Sequence, residues 1–137
     1  MAELKQKTPI LYSDLDLAFT PNPVTGDVSK KLDVNAVKQS LRTLILSNFY
    51  ERPFAPNKGG HLIGYLFQNM DVLNSQTIKR HLKNLIETYD KRVRIEDISV
   101  PVSASLSDRN SLIITIRFYV LGIQKVTDLV INLERLR

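Results

Sequence analysis

The chain has 137 residues, 43% of them apolar, and carries 19 Lys and Arg against 14 Asp and Glu for a net charge of +5. That is enough apolar material for one sizeable core in a single domain, and a positive charge spread along the chain favours an acidic partner or nucleic acid only slightly over a plain solvated surface. Zero cysteines exclude disulfides, thiolate catalysis and Cys-ligated zinc; with no signal-type apolar run in residues 1–7 and no stretch near the roughly 20 apolar residues of a membrane helix, a soluble protein made in the cytosol and free of membrane is expected.

Residues 1–30 carry Pro9, Pro21, Pro23 and Gly26 without a sustained period. They read as an irregular arm with a short extended piece around Ile10, Leu11 and Tyr12. Asp14 and Asp16 lack the further oxygens and the spaced Gly and Glu of a Ca²⁺ loop, so turn capping is expected of them and no metal or other cofactor is called for. Asp33 is placed as an N-cap, and Val34, Val37, Leu41, Leu44, Ile45 and Asn48 then recur at helical spacing, which predicts an amphipathic helix running to about Ser47 or Asn48.

That helix delivers the chain into residues 49–62, the most unusual stretch of the sequence. Pro53 and Pro56 fix φ and push Arg52 and Ala55 toward extended geometry, so no helix passes through and a shaped loop is expected. Glu51 and Arg52 place an acid beside a guanidinium. Phe49, Tyr50 and Phe54 are expected to hold the loop against a core, and Gly59 and Gly60 to allow a turn before the next helix. That helix is short, with Leu62, Ile63, Leu66 and Phe67 as its apolar stripe, and stops near Met70 and Asp71. A third helix, opened by Asn74 or Ser75, buries Ile78, Leu82, Leu85, Ile86 and Tyr89 and turns Lys79, Arg80, Lys83 and Glu87 outward.

From Val93 the period changes to two. Val93 and Ile95, then Ile98, Val100 and Val102, alternate with a phase slip at Glu96 and Asp97, which predicts a bulged strand; Pro101 marks it as an edge. Residues 107–110 read as a hairpin connection. Leu112 to Val120 is nearly all apolar or β-branched, as in a central strand covered on both faces. Gly122 turns the chain into a last strand, Val126 to Leu133. Helices followed by hairpin-linked strands give an α+β fold: an antiparallel three- or four-stranded sheet with helices on one face, in one domain spanning residues 1–137 with 1–30 as its arm.

The motif Glu51-Arg52-Pro53-Phe54, followed by Pro56, Gly59, Leu62 and Leu66-Phe67, resembles the signature of the baseplate wedge and sheath-initiator proteins of contractile phage tails, which have relatives in type VI secretion baseplates. Residues 11–16, Gly26-Asp27-Val28 and the strand-rich last third extend the similarity over most of the chain. Lys58 stands where that family usually has an aromatic. The resemblance implies a structural protein of the virion tail baseplate, assembled in the producing cell's cytoplasm and present in several copies around the tail axis. Other wedge proteins and the tail sheath subunit are its implied partners.

On this reading Glu51, Arg52, Pro53 and Phe54 dock on a helical bundle of wedge proteins. The prolines leave little loop entropy to lose, and the Arg52 fork can bridge carboxylates or cap helix carbonyls. An internal salt bridge that staples the loop is the plainer role. The edge of the last strand, with Val126, Leu129, Val130, Ile131, Asn132 and Leu133, would contact the sheath by main-chain pairing. The family also carries an old phage-lysozyme label, so a peptidoglycan-degrading enzyme is the alternative. A glycosidase needs paired carboxylates, one with a raised pKa, whereas Arg52 keeps Glu51 ionised. No tryptophan is present to stack on sugars, and His61 and His81 match no catalytic set. A weak nucleic-acid-binding domain is the other alternative, but the cations between Lys79 and Arg94 lack interleaved aromatics. The sequence therefore favours a non-enzymatic adaptor with no nucleic-acid partner.

Overall fold

A computed structural model describes residues 9–69, 71–102 and 111–134. Its main sheet is antiparallel in the order β3-β4-β5, formed by β3 (Val93–Ser99), β4 (Ser111–Val120) and β5 (Ile123–Glu134). The phase slip is a register shift between Ile95 and Asp97, which brings Ile98 back to the buried face opposite Ile116. Gly122, at φ +88°, makes the tight β4–β5 turn, so β5 starts at Ile123 rather than at Val126. The connection expected at residues 107–110 lies outside the described residues.

Strand β4 is central, but it is covered on one face only. Leu112, Ile114, Ile116, Phe118 and Val120 are buried, while Arg117 and Tyr119 are exposed and Ile113 and Thr115 are half-covered. The apolar run misled because β-branched residues also suit the open face of a pleated sheet, where cross-strand neighbours shield them. Here Ile113 lies opposite Asn132, and Thr115 opposite Val130.

Two helices close the buried face. Helix α1 (Asp33–Leu46) buries Ala36, Val37, Leu41, Leu44 and Ile45 and lies toward β5. Helix α2 (Val72–Tyr89) buries Ile78, Leu82, Leu85 and Ile86 and lies toward β3; Tyr89, beyond this stripe, is exposed. The α2 N-cap is Asp71, whose carboxylate accepts from Asn74 N at 2.7 Å, so the helix opens earlier than Asn74. Buried Ser75 donates to Val100 O at 2.9 Å and ties α2 to the end of β3.

Between them Leu62–Phe67 is a 3-10 helix, not an α-helix. With three residues per turn, Leu62 and Tyr65 share the inner side, and Ile63 and Phe67 point outward instead of completing the expected stripe.

The arm is more regular than its composition implied. Strand β1 (Ser13–Leu15) pairs with β2 (Lys30–Leu32), and Pro21 bridges to Val28 near a turn in which Gly26 has φ +70°. Asp33 does not cap α1. Its backbone sits at φ +50°, and its carboxylate instead accepts from Leu11 N at 2.8 Å and Tyr12 N at 3.3 Å, while Tyr12 OH donates to Leu121 O. Asp16 accepts from Ala18 N at 3.1 Å and pairs with Lys31 at 3.3 Å, the turn-capping role.

Candidate docking loop and sheet edge

The loop after α1 is held by its own backbone and by two glycines. Tyr50 N donates to Pro56 O, Ala55 N to Arg52 O and Lys58 N to Ala55 O, so residues 50–58 close on themselves. Gly59 and Gly60 then pass against the C-terminal turn of α1. A Cβ on Gly60 would lie 2.1 Å from Ile45 O, and one on Gly59 2.6 Å from Ser47 O. Neither glycine has positive φ; close approach, not a turn, requires them.

Glu51 is bound by Asn48. Its two carboxylate oxygens accept from the Asn48 main-chain N at 2.9 Å and from Nδ2 at 2.8 Å. The main-chain bond, then the side-chain bond, then the Arg52 charge hold the carboxyl below the ordinary glutamate range. Arg52 makes no ion pair with Glu51; its Nη2 reaches Ser47 Oγ at 3.4 Å, a long contact. The stapling role therefore falls to Glu51 and Asn48. Arg52 faces a cleft of about 270 Å³ that it shares with Lys58, Asp14, Asp90 and Arg92. In that cleft Asp90 holds Arg92 through contacts of 2.9 and 2.8 Å.

The aromatic anchors are mostly not anchors. Phe54 is 102% exposed and Tyr50 81% exposed. Only Phe49 packs, stacked on His61 at 4.9 Å and edge-on to His81 at 6.5 Å. His81 Nε2 also lies 3.0 Å from Gly60 O, so both histidines brace the loop. Lys58, in the usual aromatic position, is half-buried with its Nζ 5.4 Å from the Tyr89 ring centroid, so a cation–π contact ties the loop to α2.

Strand β5 stands at the end of the described β3-β4-β5 order. No described strand pairs along its outer side, and β1 pairs with β2 rather than with it. Leu129 (6% exposed) and Ile131 (1%) face the core and Leu133 is half-covered, while Val126, Val130 and Asn132 face outward. The six residues thus split between two faces, as strand alternation requires.

Residues 32–124 match the family described as Baseplate wedge protein gp25, a span of more than half the chain that contains α1, the loop, α2, β3 and β4. The chain belongs to the gp25 baseplate wedge family. It is 34% identical over 111 residues to the baseplate wedge protein gp25 of Enterobacteria phage T4, covering 81% of each chain. Among solved structures it resembles a chain of the anti-feeding prophage baseplate, at TM-score 0.69 and 24% identity, covering 83% of this chain and 89% of that one. It also resembles a crystal structure from Geobacter sulfurreducens that bears a provisional tail-lysozyme name, at TM-score 0.63 and 17% identity, covering 74% and 89%. At those identities the two structures show the gp25-type fold alone.

Within this gp25 family member the site residues fall into two groups. Glu51, Arg52, Pro53 and Phe54 stand together at the end of α1, and the β5 residues stand on a separate edge, nearly all of it past the family match at residue 124. Asn48, His61, His81 and Lys58 belong to the loop's support and were not singled out for it beforehand. Asn48, three residues before Glu51, was legible as a local side-chain partner; the two histidines, 20 positions apart, were not.

Proposed function

We propose that this gp25 family member is a non-catalytic structural component of a contractile-tail baseplate that docks on other wedge proteins through Arg52 and Phe54. The observation that carries this reading is Phe54, which stands wholly in solvent on a loop whose backbone and acid are satisfied internally. A large aromatic held rigidly outward loses little entropy on burial, which is how interface hot spots gain their energy. Arg52 beside it supplies a planar fork for carboxylates or helix-end carbonyls. The expected location is the virion tail baseplate, in several copies around the tail axis. Assembly of wedges with Arg52→Ala, Arg52→Lys and Phe54→Ala variants tests the reading: all three should unfold near the wild-type temperature yet fail to enter the wedge, and a wild-type wedge content for Phe54→Ala would overturn it.

The second part of the proposal assigns the outer edge of β5 to the tail sheath subunit, which would add a strand and inherit its register from the pairing. The unpaired edge supports this. Val130→Pro or Asn132→Pro, once shown to be folded, should stop sheath nucleation on baseplates; sheath of normal length on a folded proline variant would refute the assignment. The lysozyme alternative draws on the name of one structural relative, and the loop chemistry weighs against it: Glu51 is held toward its ionised form, the wrong state for a general acid. For nucleic acid, Lys79, Arg80 and Lys83 share their groove with Glu96 and Asp97, which weakens a cationic patch.

A further inference from the structure

A groove of about 940 Å³ runs between the N-terminal hairpin, α1 and β5 and adjoins the cleft that Arg52 faces, Leu17 and Thr43 lining both. Its α1 wall is the stripe Asn35, Lys38, Gln39, Arg42, Thr43 and Leu46, spaced three and four apart and therefore one face of the helix over about 17 Å. Leu17, from the hairpin, and Leu129, from β5, add apolar surface. Lys30, Lys31, Lys38 and Arg42 all line the groove, and no Asp or Glu lines it among the described residues. Asp16 engages Lys31 at 3.3 Å, whereas Lys30, Lys38 and Arg42 have no ion-pair or hydrogen-bond partner among the described residues. Three cations without a described partner over leucine-lined walls give the groove a net positive field.

We propose that this groove seats an extended acidic segment of a partner protein, its carboxylates toward Lys30, Lys38 and Arg42 and leucine-sized side chains toward Leu17, Leu46 and Leu129. The segment is extended because Leu129 brings the groove to β5, whose outer edge has no described strand partner and offers main-chain groups to an added strand. The α1 stripe accommodates about five such residues at about 3.3 Å each. Nucleic acid fits the lining less well, since no aromatic side chain among the described residues lines it to stack a base. This inference deepens the assignment of the β5 edge and rests on it for the shape of the segment, but its charge preference stands on the groove alone.

The test uses the full chain and fluorescein-labelled ten-residue peptides in which leucine alternates with glutamate or with lysine, read by anisotropy. The glutamate peptide should bind at least tenfold more tightly than the lysine peptide, and rising salt should narrow the gap. The double variant Lys38→Glu, Arg42→Glu, confirmed folded by circular dichroism, should reverse the preference. An N-methylated glutamate peptide, unable to pair along a strand, separates the two ideas. If N-methylation abolishes binding while charge reversal changes nothing, the edge pairs strands and the proposed acid recognition is wrong. If charge reversal switches the preference while N-methylation has no effect, acid recognition stands and the edge reading falls. Equal affinity for the two peptides, no binding of the glutamate peptide at millimolar concentration, or tighter binding of a ten-nucleotide thymidine strand would each overturn the proposal.

Discussion

Among the glycines of this protein, Gly60 should tolerate substitution by alanine least. The added Cβ would sit 2.1 Å from Ile45 O, 2.9 Å from Ile45 C and 3.0 Å from Ile45 Cα. All three are backbone atoms of a helix whose side chain at that position is fully buried, so none can swing aside. The loop has to move instead, and with it the 3.0 Å contact between His81 Nε2 and Gly60 O and the bond from His61 N to Ser47 O. Overpacking of this kind costs about 1–3 kcal/mol, and one strained hydrogen bond adds about 1 kcal/mol, giving a loss of about 2–4 kcal/mol. For a chain of this size that lowers Tm by roughly 8–15 °C. Gly64→Ala is the control: its Cβ would meet only the His61 ring, at 3.2 Å, a side chain that can yield. Urea and thermal unfolding followed by circular dichroism would measure both. A Gly60→Ala chain that unfolds within about 0.5 kcal/mol of wild type would refute the claim that close approach to α1 is why glycine stands there.

Asp33→Ala removes the acceptor for Leu11 N and Tyr12 N and should cost about 1–2 kcal/mol, with cleavage by a nonspecific protease appearing first between residues 17 and 29; Asp33→Asn, which keeps an acceptor and tolerates positive φ, should fall in between. Glu51 has its carboxyl lowered by Asn48, so its hold on the loop should be fully present above the ordinary glutamate range and be lost as pH falls through its own lower value. The Asn48 side-chain amide resonances should report this with a midpoint below the ordinary range, and a midpoint at or above that range would contradict the bonding described. Asp90→Ala strips Arg92 of its carboxylate on a residue only 5% exposed and should cost about 1–3 kcal/mol in urea unfolding, less than a fully buried pair because the Arg92 side chain is 39% exposed. Ser75→Ala leaves Val100 O without its buried donor and should cost about 1–2 kcal/mol by the same measurement.

The parts of the fold that were legible are those where one buried face imposes a period on the sequence. Val37, Leu41, Leu44 and Ile45 in α1, and Ile78, Leu82, Leu85 and Ile86 in α2, are all buried where helical spacing placed them. The slip at Glu96 and Asp97 was readable because a bulge shifts a period-two pattern by one residue. What failed was local geometry with more than one reading. Four apolar residues at 62, 63, 66 and 67 satisfy an α-helical stripe, but the chain there winds at three residues per turn and divides them between two sides. Asp33 has the right chemistry for an N-cap, yet two free N–H groups of the arm compete for the same carboxylate and win. The β1–β2 hairpin has strands of three residues each, too short to show alternation above the noise of prolines and glycines around them.

The loop was legible as a loop, because two prolines rule out a helix whatever surrounds them. Its internal wiring was not. Adjacent Glu51 and Arg52 suggest an ion pair, but the chain bends at both residues, and the acid finds its donors on Asn48 while the base turns to Ser47 and the cleft. Aromatic residues next to prolines suggest anchors, since burial is their usual fate. Here the anchoring is already complete without Tyr50 and Phe54: two glycines press the backbone onto α1, Phe49 packs between two histidines, and Lys58 lies over Tyr89. That division changes what the exposed residues mean. If the loop needed Phe54 for its own stability, full exposure would be a cost with no return; because other contacts hold the loop, Phe54 is surplus to folding, and its exposure beside Arg52, whose described contact is the long one to Ser47, supports the docking role proposed for the pair.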